Sequence, residues 1–117
     1  MGRDSGDLLQ GTLGLLILKA LVAQELHGYG IARWVGEVTR EVLEIPEGSL
    51  YPALRRLEDR GLITSRWDLS ENNRRARYYE ITAKGKAHLQ AETTNWLQYA
   101  QVVTAILSGT PVTQAAS

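Results

Sequence analysis

The sequence predicts a mainly helical α+β domain, and three observations support this. Apolar residues recur at helical spacing through most of residues 8–60, alternate over 62–82, and return to helical spacing over 83–108. With 117 residues and 44% hydrophobic content, the chain suits one domain around one core. We therefore expect three helices, a two-stranded hairpin and a C-terminal helix.

The first helix is predicted from two apolar stripes between residues 8 and 23. One stripe comprises Leu9, Leu13, Leu16, Ile17, Ala20 and Leu21, and the other comprises Leu8, Leu15, Leu18 and Val22. Thr12 and Lys19 leave only a narrow polar strip between them. A helix that is apolar on two sides has more surface to bury than so small a core covers. We therefore expect a second subunit against this helix.

Two shorter helices follow. Ile31, Trp34, Val35 and Val38 indicate an amphipathic helix that starts after His27 and ends near Arg40. The segment PEGSLYPALRRLEDRG (residues 46–61) predicts the next helix, whose inward face comprises Leu50, Ala53, Leu54 and Leu57. Gly61 is expected to end it. Pro52 lacks an N–H donor, so we place it within the first two turns of that helix.

The alternating segment predicts a hairpin. Ile63, Ser65, Trp67 and Leu69 lie on one face, SENNRR (70–75) has turn chemistry, and ARYYEIT (76–82) suits a returning strand. We expect Trp34 and Trp67 to complete the core. Thr82 is the expected cap of the last helix, and residues 109–117 read as a flexible tail. The heptad-like stripe of that helix comprises Leu89, Thr93, Trp96, Ala100, Val103 and Leu107.

Charge is concentrated in the middle of the chain, although the total of 13 basic and 13 acidic residues is neutral. Residues 49–86 carry nine basic and five acidic side chains, whereas residues 1–48 carry four and seven. A local basic surface on a neutral chain suits a protein that touches a polyanion with one face. An ordinary solvated charged face is the alternative.

The order of three helices and a hairpin is that of a winged helix-turn-helix, in which the second helix of the pair enters the major groove. The hairpin is then the wing, and we expect three arginines at its tip. The predicted DNA-binding residues are Ser49, Tyr51, Pro52, Arg55, Arg56, Arg74, Arg75 and Arg77. Arginine suits bidentate contact with guanine on the helix and with phosphates on the wing.

Four segments resemble the PadR-like transcriptional regulators. They are LLQGTLGLLILKAL (8–21), HGYGIA (27–32), GSLYPALRRLEDRGLI (48–63) and RARYYEITAKGKAHL (75–89), and the likeness extends over about residues 8–107. The resemblance implies a homodimeric DNA-binding protein, usually a repressor, with its C-terminal helix packed across the dimer. It also implies the short form of the family, without a separate effector domain. Gly14 departs from the larger residue common there.

This resemblance and the helical patterns predict three regions: a winged-helix DNA-binding domain (residues 1–82), a C-terminal dimerisation helix (83–108) and the tail. The expected dimer interface comprises Leu8, Leu15, Leu18, Leu89, Trp96, Ala100, Val103 and Leu107. A planar aromatic effector is expected to stack on Trp96 beside Tyr99, as ligand-responsive members of the family imply. In the alternative interpretation, Trp96 simply fills the interface.

Other classes of protein fit less well. The segment GYGIAR (28–33) lacks the last glycine of a dinucleotide-binding motif, so we expect no enzyme. The chain has no cysteine and two histidines, so we expect neither a metal site nor a cofactor. The absence of cysteine also suits a cytoplasmic location, which we expect for this protein. The first apolar run is short for a bilayer and lacks a basic leader, so no membrane segment or signal peptide is expected. A dimeric protein-interaction module without specific DNA binding stays open.

Overall fold

The computed structural model describes the backbone of residues 2–110 and the side chains of residues 9–110. Its elements are α1 (Gly2–Ala20), β1 (Leu26–His27), α2 (Gly28–Val38), α3 (Glu47–Asp59), β2 (Ile63–Leu69), β3 (Arg75–Ile81) and α4 (Ala83–Ser108). The predicted α+β class and the order of three helices, hairpin and final helix are confirmed. The side chain of Leu8 and most of the tail predicted for 109–117 lie outside the described residues.

The helix ends form where the sequence places them. The Nδ1 atom of His27 accepts a hydrogen bond from the Gly30 N–H at 2.9 Å and caps α2. Thr82 caps α4 in the same way, through its hydroxyl and the Gly85 N–H at 2.9 Å. Gly61 and Gly109 follow α3 and α4 with φ angles of +76° and +73°, a conformation that favours glycine.

Helix α3 continues through Pro52. The proline removes the hydrogen bond to the carbonyl of Gly48, but both residues are exposed, so water can satisfy that carbonyl. The buried face of α3 consists of Leu50, Ala53, Leu54 and Leu57, as predicted. The irregularity therefore falls on the outer surface of the domain.

The core lies where α1 meets α2, α3 and the base of the hairpin. Its fully buried side chains are Leu13, Ile17, Leu18, Leu21, Ile31, Val35, Leu54, Leu62 and Ile63. Leu18 is only 1% exposed, so its placement at a dimer interface is corrected: it packs inside its own protomer. The second apolar stripe of α1 is therefore narrower than expected, with Leu15 half-buried and Val22 exposed.

The sheet has three antiparallel strands in the order β1-β3-β2, and the prediction of a two-stranded wing missed β1. In this short strand Leu26 pairs with Tyr79 and His27 pairs with Tyr78. In the hairpin, Trp67 faces Arg77 and Leu69 faces Arg75. The outer half of the hairpin extends beyond the core. Trp67 is 54% exposed, so its expected place in the core was wrong.

Helix α4 projects from the domain. Its 26 residues span about 39 Å, and the radius of gyration is 16.2 Å, whereas a compact domain of this length has about 13 Å. It packs against α1, and Trp96 and Tyr99 line a groove together with Leu15 of that helix. Towards its end, Ile106 and Leu107 are 68% and 81% exposed. The predicted bounds of this helix, 83–108, agree with the structure, and its role in dimerisation stays a prediction.

Candidate nucleic-acid interface

The outward face of α3 carries two exposed arginines. Because Leu50, Leu54 and Leu57 point into the core, Arg55 and Arg56 lie on the opposite, solvent-facing half of the helix. Within residues 9–110 neither arginine forms an ion pair. Both guanidinium groups therefore have their donors available for base edges or phosphates.

Ser49 and Tyr51 are fixed by neighbours near the start of α3. The Ser49 hydroxyl accepts a hydrogen bond from Nε2 of Gln10 on α1 at 3.0 Å. The Tyr51 ring packs over the beginning of α2, where a methyl group on Gly28 would lie 2.7 Å from the Tyr51 hydroxyl oxygen. A side chain at position 28 would therefore have to displace the Tyr51 ring. Tyr51 keeps 46% of its surface exposed beside Pro52, which is also exposed.

The tip of the wing is a tight turn. The Ser70 N–H donates to the Arg74 carbonyl at 2.7 Å, and Asn73 turns the chain with a φ angle of +60°. Asparagine tolerates this conformation better than most residues. Arg74 and Arg75 follow directly and are exposed. The prediction that both lie at the tip is confirmed, and their contact with DNA stays a prediction.

Arg77 does not lie at the tip, and this placement is corrected. It stands two residues further along β3, where its Nε donates to the Ser65 hydroxyl at 2.8 Å. Its Nη2 atom lies 3.4 Å from Glu58 of α3. The register of the hairpin turns Arg77 back towards the domain. A run of three arginines in the sequence does not reveal which of them meets a carboxylate.

Trp67 joins the arginines of the wing, a role that the sequence interpretation missed. The guanidinium carbon of Arg75 lies 4.8 Å from the centre of its ring, and that of Arg77 lies 5.9 Å away. Both distances are within the range of cation–π attraction. The alternating pattern of β2 contained this signal. Trp67 and Leu69 share one face of the strand, and they pair with Arg77 and Arg75 of β3.

Arg66, on the other face of the wing, is neutralised. It forms ion pairs with Glu25 and Asp68, and its guanidinium carbon lies 5.6 Å from the centre of the Tyr78 ring. The hydrogen bond from Arg66 holds the pKa of Asp68 below its usual value. The positive charge offered by the wing therefore comes from the tip and not from this face.

Helix α2, α3 and the wing enclose an open groove of about 840 Å³. Its lining includes His27, Tyr29, Tyr51, Trp67, Arg75 and Arg77. Tyr29 is 69% exposed at the mouth of this groove and was not predicted as a site residue. Aromatic and cationic groups of α2, α3 and the wing thus line one groove.

Comparison with known proteins identifies the family. The model of the transcriptional regulator PadR-like family matches residues 17–91, which contain α2, α3 and the wing. The chain belongs to the PadR-like family. It is therefore a transcriptional regulator with a winged-helix fold, and not an enzyme, as predicted. The family's role implies that it binds DNA.

Solved structures of PadR-like and related regulators resemble the whole domain. A transcriptional regulator from Clostridium thermocellum is 31% identical, with a TM-score of 0.77 over 84% of this chain and 95% of the other. A PadR family transcription regulator from Clostridium difficile is 32% identical, with a TM-score of 0.70 over 82% and 98%. An uncharacterized protein of Lysinibacillus sphaericus is 29% identical over 88% of this chain and 94% of its own.

Two grooves beside the α1–α4 contact are lined by five of the residues predicted for the dimer and ligand sites of this PadR-like chain: Leu15, Leu18, Leu89, Trp96 and Tyr99. Trp96 is 43% exposed and borders both, one of about 360 Å³ and one of about 850 Å³. Leu15 lines both grooves as well, and Leu89 packs on the core. Ala100 and Val103 are half-buried further along α4. Tyr99 is 68% exposed and lines the smaller groove.

Among the described residues, no group of three His, Asp or Glu side chains is placed to hold a metal ion. None of the helices in the described part of this PadR-like chain is both long and apolar enough to cross a membrane.

Proposed function

We propose that this chain is a repressor that binds an inverted-repeat operator in double-stranded DNA as a homodimer. The observation that supports it best is that the arginines of α3, Arg55 and Arg56, and those of the wing tip, Arg74 and Arg75, are all exposed. α3 would read the major groove, while the wing tip would contact phosphates. Ser49, Tyr51 and Pro52 would approach the duplex at the start of α3.

The homodimer in this proposal rests on the uncovered apolar surface of α4. Leu97, Ile106 and Leu107 are 58%, 68% and 81% exposed, which is costly for a helix in water. In the dimer, each copy of α4 would cover the apolar end of the other. The contacting residues would be Trp96, Ala100, Val103 and Leu107 of α4, together with Leu8 and Leu15 of α1. A two-fold axis would then place the two copies of α3 in successive major grooves, about 34 Å apart.

Ligand release is the third part of the proposal. The groove of about 850 Å³ is lined by apolar groups of α1 and α4, including Leu16, Leu89 and Trp96. A planar aromatic compound stacked on Trp96 near Tyr99 would change how the two copies of α4 pack, and so change the distance between the DNA-reading helices. Its binding should quench Trp96 emission in a variant with Trp34→Phe and Trp67→Phe, and should weaken operator binding. A panel of phenolic acids and cationic dyes that changes neither would count against this effector class.

The experiment that tests the proposed function is a selection from random duplexes, followed by affinity measurements at several salt concentrations. We expect an inverted repeat, and an affinity that falls steeply with salt, because arginine–phosphate contacts release counterions. A selected pool without a shared motif, or a monomer by sedimentation at micromolar concentration, would contradict the proposal.

The alternative is a dimeric protein-interaction module without specific DNA binding. The exposed apolar end of α4, including Leu107, favours it as a docking surface for a partner helix. Such binding would depend little on salt and would not select a duplex. The same selection therefore separates the two functions.

A further inference from the structure

Three side chains connect the wing to α3, and we call Glu58, Ser65 and Arg77 the latch. The Ser65 hydroxyl on β2 donates a hydrogen bond to Oε2 of Glu58 at 2.6 Å and accepts one from Nε of Arg77 at 2.8 Å. Nη2 of Arg77 lies 3.4 Å from both carboxylate oxygens of Glu58. One hydroxyl thus bridges the cation of β3 and the anion of α3.

The latch is partly shielded from water. The side chains of Arg77 and Glu58 are 45% and 31% exposed. An isolated exposed ion pair contributes little to stability, but hydrogen bonds linked in a chain polarise and orient one another. We therefore expect the latch to contribute to the orientation of the wing more than to the stability of the fold.

The wing needs such an attachment beyond the core. At its base, Ile63 and Ile81 are buried, whereas Trp67 and Leu69 further out are 54% and 59% exposed. The latch lies at the border between these two regions. From Arg77 the contacts continue through the Trp67 ring to Arg75 at the tip. Fixing Arg77 therefore also restrains Arg75, which the proposed function places against phosphates.

We propose that Glu58 is a positioning residue that sets the angle between the wing and α3 through Ser65 and Arg77. This inference rests on the proposed function. When the latch holds the wing, α3 and the wing tip can contact the operator at the same time. Binding then costs little conformational entropy, because the wing is already ordered. When it is loose, the wing still finds phosphates on any duplex. The latch therefore controls discrimination between sequences more than general affinity for DNA.

The same geometry gives Arg77 a different role from Arg74. Arg77 is committed to Glu58 and Ser65, so it releases few counterions when DNA binds, whereas the exposed Arg74 is available for a phosphate. Arg77→Gln should leave the slope of log affinity against log salt unchanged and should reduce discrimination. Arg74→Gln should reduce the magnitude of that negative slope by about one and leave discrimination intact.

The test compares Glu58→Gln with the control Glu80→Gln in the full chain. Glu80 is an exposed carboxylate on β3 that points to the other sheet face, and within the described side chains it makes no ion pair. Both changes remove one negative charge. We expect Glu58→Gln to lower the ratio of affinities for selected and scrambled duplexes about fivefold or more, with Glu80→Gln leaving it unchanged. The double variant with Arg77→Gln should discriminate no worse than Glu58→Gln alone.

A readout without DNA checks the latch itself. In a background with Trp34→Phe and Trp96→Phe, Trp67 is the only tryptophan, and Glu58→Gln should make it more accessible to acrylamide than Glu80→Gln does. Ser65→Ala should behave as Glu58→Gln while removing no charge. Equal acrylamide quenching in all variants would overturn the latch. Equal discrimination by Glu58→Gln and Glu80→Gln would overturn its role in DNA recognition.

These outcomes separate the latch from the proposed function. If the unmodified chain selects no duplex, the proposed function fails and the positioning role with it, while the Trp67 readout still reports whether the latch holds the wing. If the chain selects an operator and Glu58→Gln keeps the full discrimination, the latch proposal alone is wrong.

Discussion

Single residues decide how the proposed DNA-binding face is held, and Gly28 shows this most directly. Its position at the start of α2 lies under the Tyr51 ring, where a methyl group would come within 2.7 Å of the hydroxyl oxygen. Any side chain there must displace Tyr51 or shift α2 against α3. The packing of α2 against α3 thus depends on the lack of a side chain at Gly28.

Gly28→Ala should therefore lower the free energy of unfolding by about 1–3 kcal/mol, because it overpacks the α2–α3 contact. The matched control is Gly48→Ala, which has nothing within 4 Å of the new methyl group and lies inside α3. That change should stabilise the chain by about 0.5–1 kcal/mol through helix propensity. Urea titration of both variants at one protein concentration measures the difference. Equal effects would show that Tyr51 does not pack as described.

The arginines of α3 and of the wing tip should differ on substitution. Arg74→Ala or Arg75→Ala should weaken binding to all duplexes alike, because phosphates are the same in every sequence. Arg55→Ala or Arg56→Ala should cost about 1–3 kcal/mol at the selected site and relax the base preference, because guanine edges differ from other bases. Repeating the duplex selection on these variants checks the assignment. An unchanged base preference in all of them would contradict base reading by α3.

Residue-level sequence interpretation succeeded where one position carries its own signal. His27, Thr82 and Gly109 have the chemistry of helix ends, and all three act there. It failed at Trp67 and Arg77, whose positions depend on how far the hairpin extends beyond the core and on the register between β2 and β3. Hydrophobicity alone placed Trp67 inside. The length of the hairpin and the register of its strands depend on many residues together, so no single residue reveals them.

At the scale of elements, the start of α4 fits closely against the backbone that precedes β2. A methyl group on Gly85 would lie 2.1 Å from the carbonyl oxygen of Leu62, so the first turn of α4 lies directly on the backbone before β2. The Thr82 hydroxyl donates to the Gly61 carbonyl at 2.8 Å, and Nζ of Lys84 donates to the Arg60 carbonyl at 2.8 Å. The end of α3 and the beginning of α4 are thus joined.

Gly85→Ala should destabilise the chain by about 3 kcal/mol or more, since the contact is with backbone and has no flexible side chain to yield. Thr82→Ala should cost only about 1 kcal/mol, the usual loss of a helix cap. Thermal unfolding followed by circular dichroism ranks the two variants. A smaller loss for Gly85→Ala than for Thr82→Ala would mean that α4 does not seat on Leu62.

Element order was predictable because period, turn chemistry and caps agree along most of the chain. Strand β1 was not predictable, since two residues, Leu26 and His27, cannot display a period, and their pairing depends on β3 being close. The exposed width of the second apolar stripe of α1 was overestimated for a related reason. A helical wheel shows which residues share a face, but Leu18 became buried because α1 packs against several elements at once.

At the scale of the whole molecule, α4 extends beyond the domain with its apolar end uncovered, and the proposed dimer follows from that shape. Leu107→Asp should weaken self-association at least about tenfold, because a carboxylate would have to be desolvated at the interface. Gln101→Asp, on an exposed polar position of the same helix, is the control and should leave association unchanged. Sedimentation equilibrium across nanomolar to micromolar concentrations measures both.

The proposed dimer would also set the affinity for the proposed operator. Two linked DNA-reading domains bind an inverted repeat with the second contact made at high effective concentration, so losing the dimer should weaken operator binding by about a hundredfold or more. Binding to a single half-site should change little, because each protomer keeps its own α3 and wing. Leu107→Asp should therefore lose the preference for a full repeat over a half-site, while Gln101→Asp keeps it. A variant that is monomeric by sedimentation yet still prefers the full repeat would contradict recognition by a preformed dimer, and would favour assembly on the DNA.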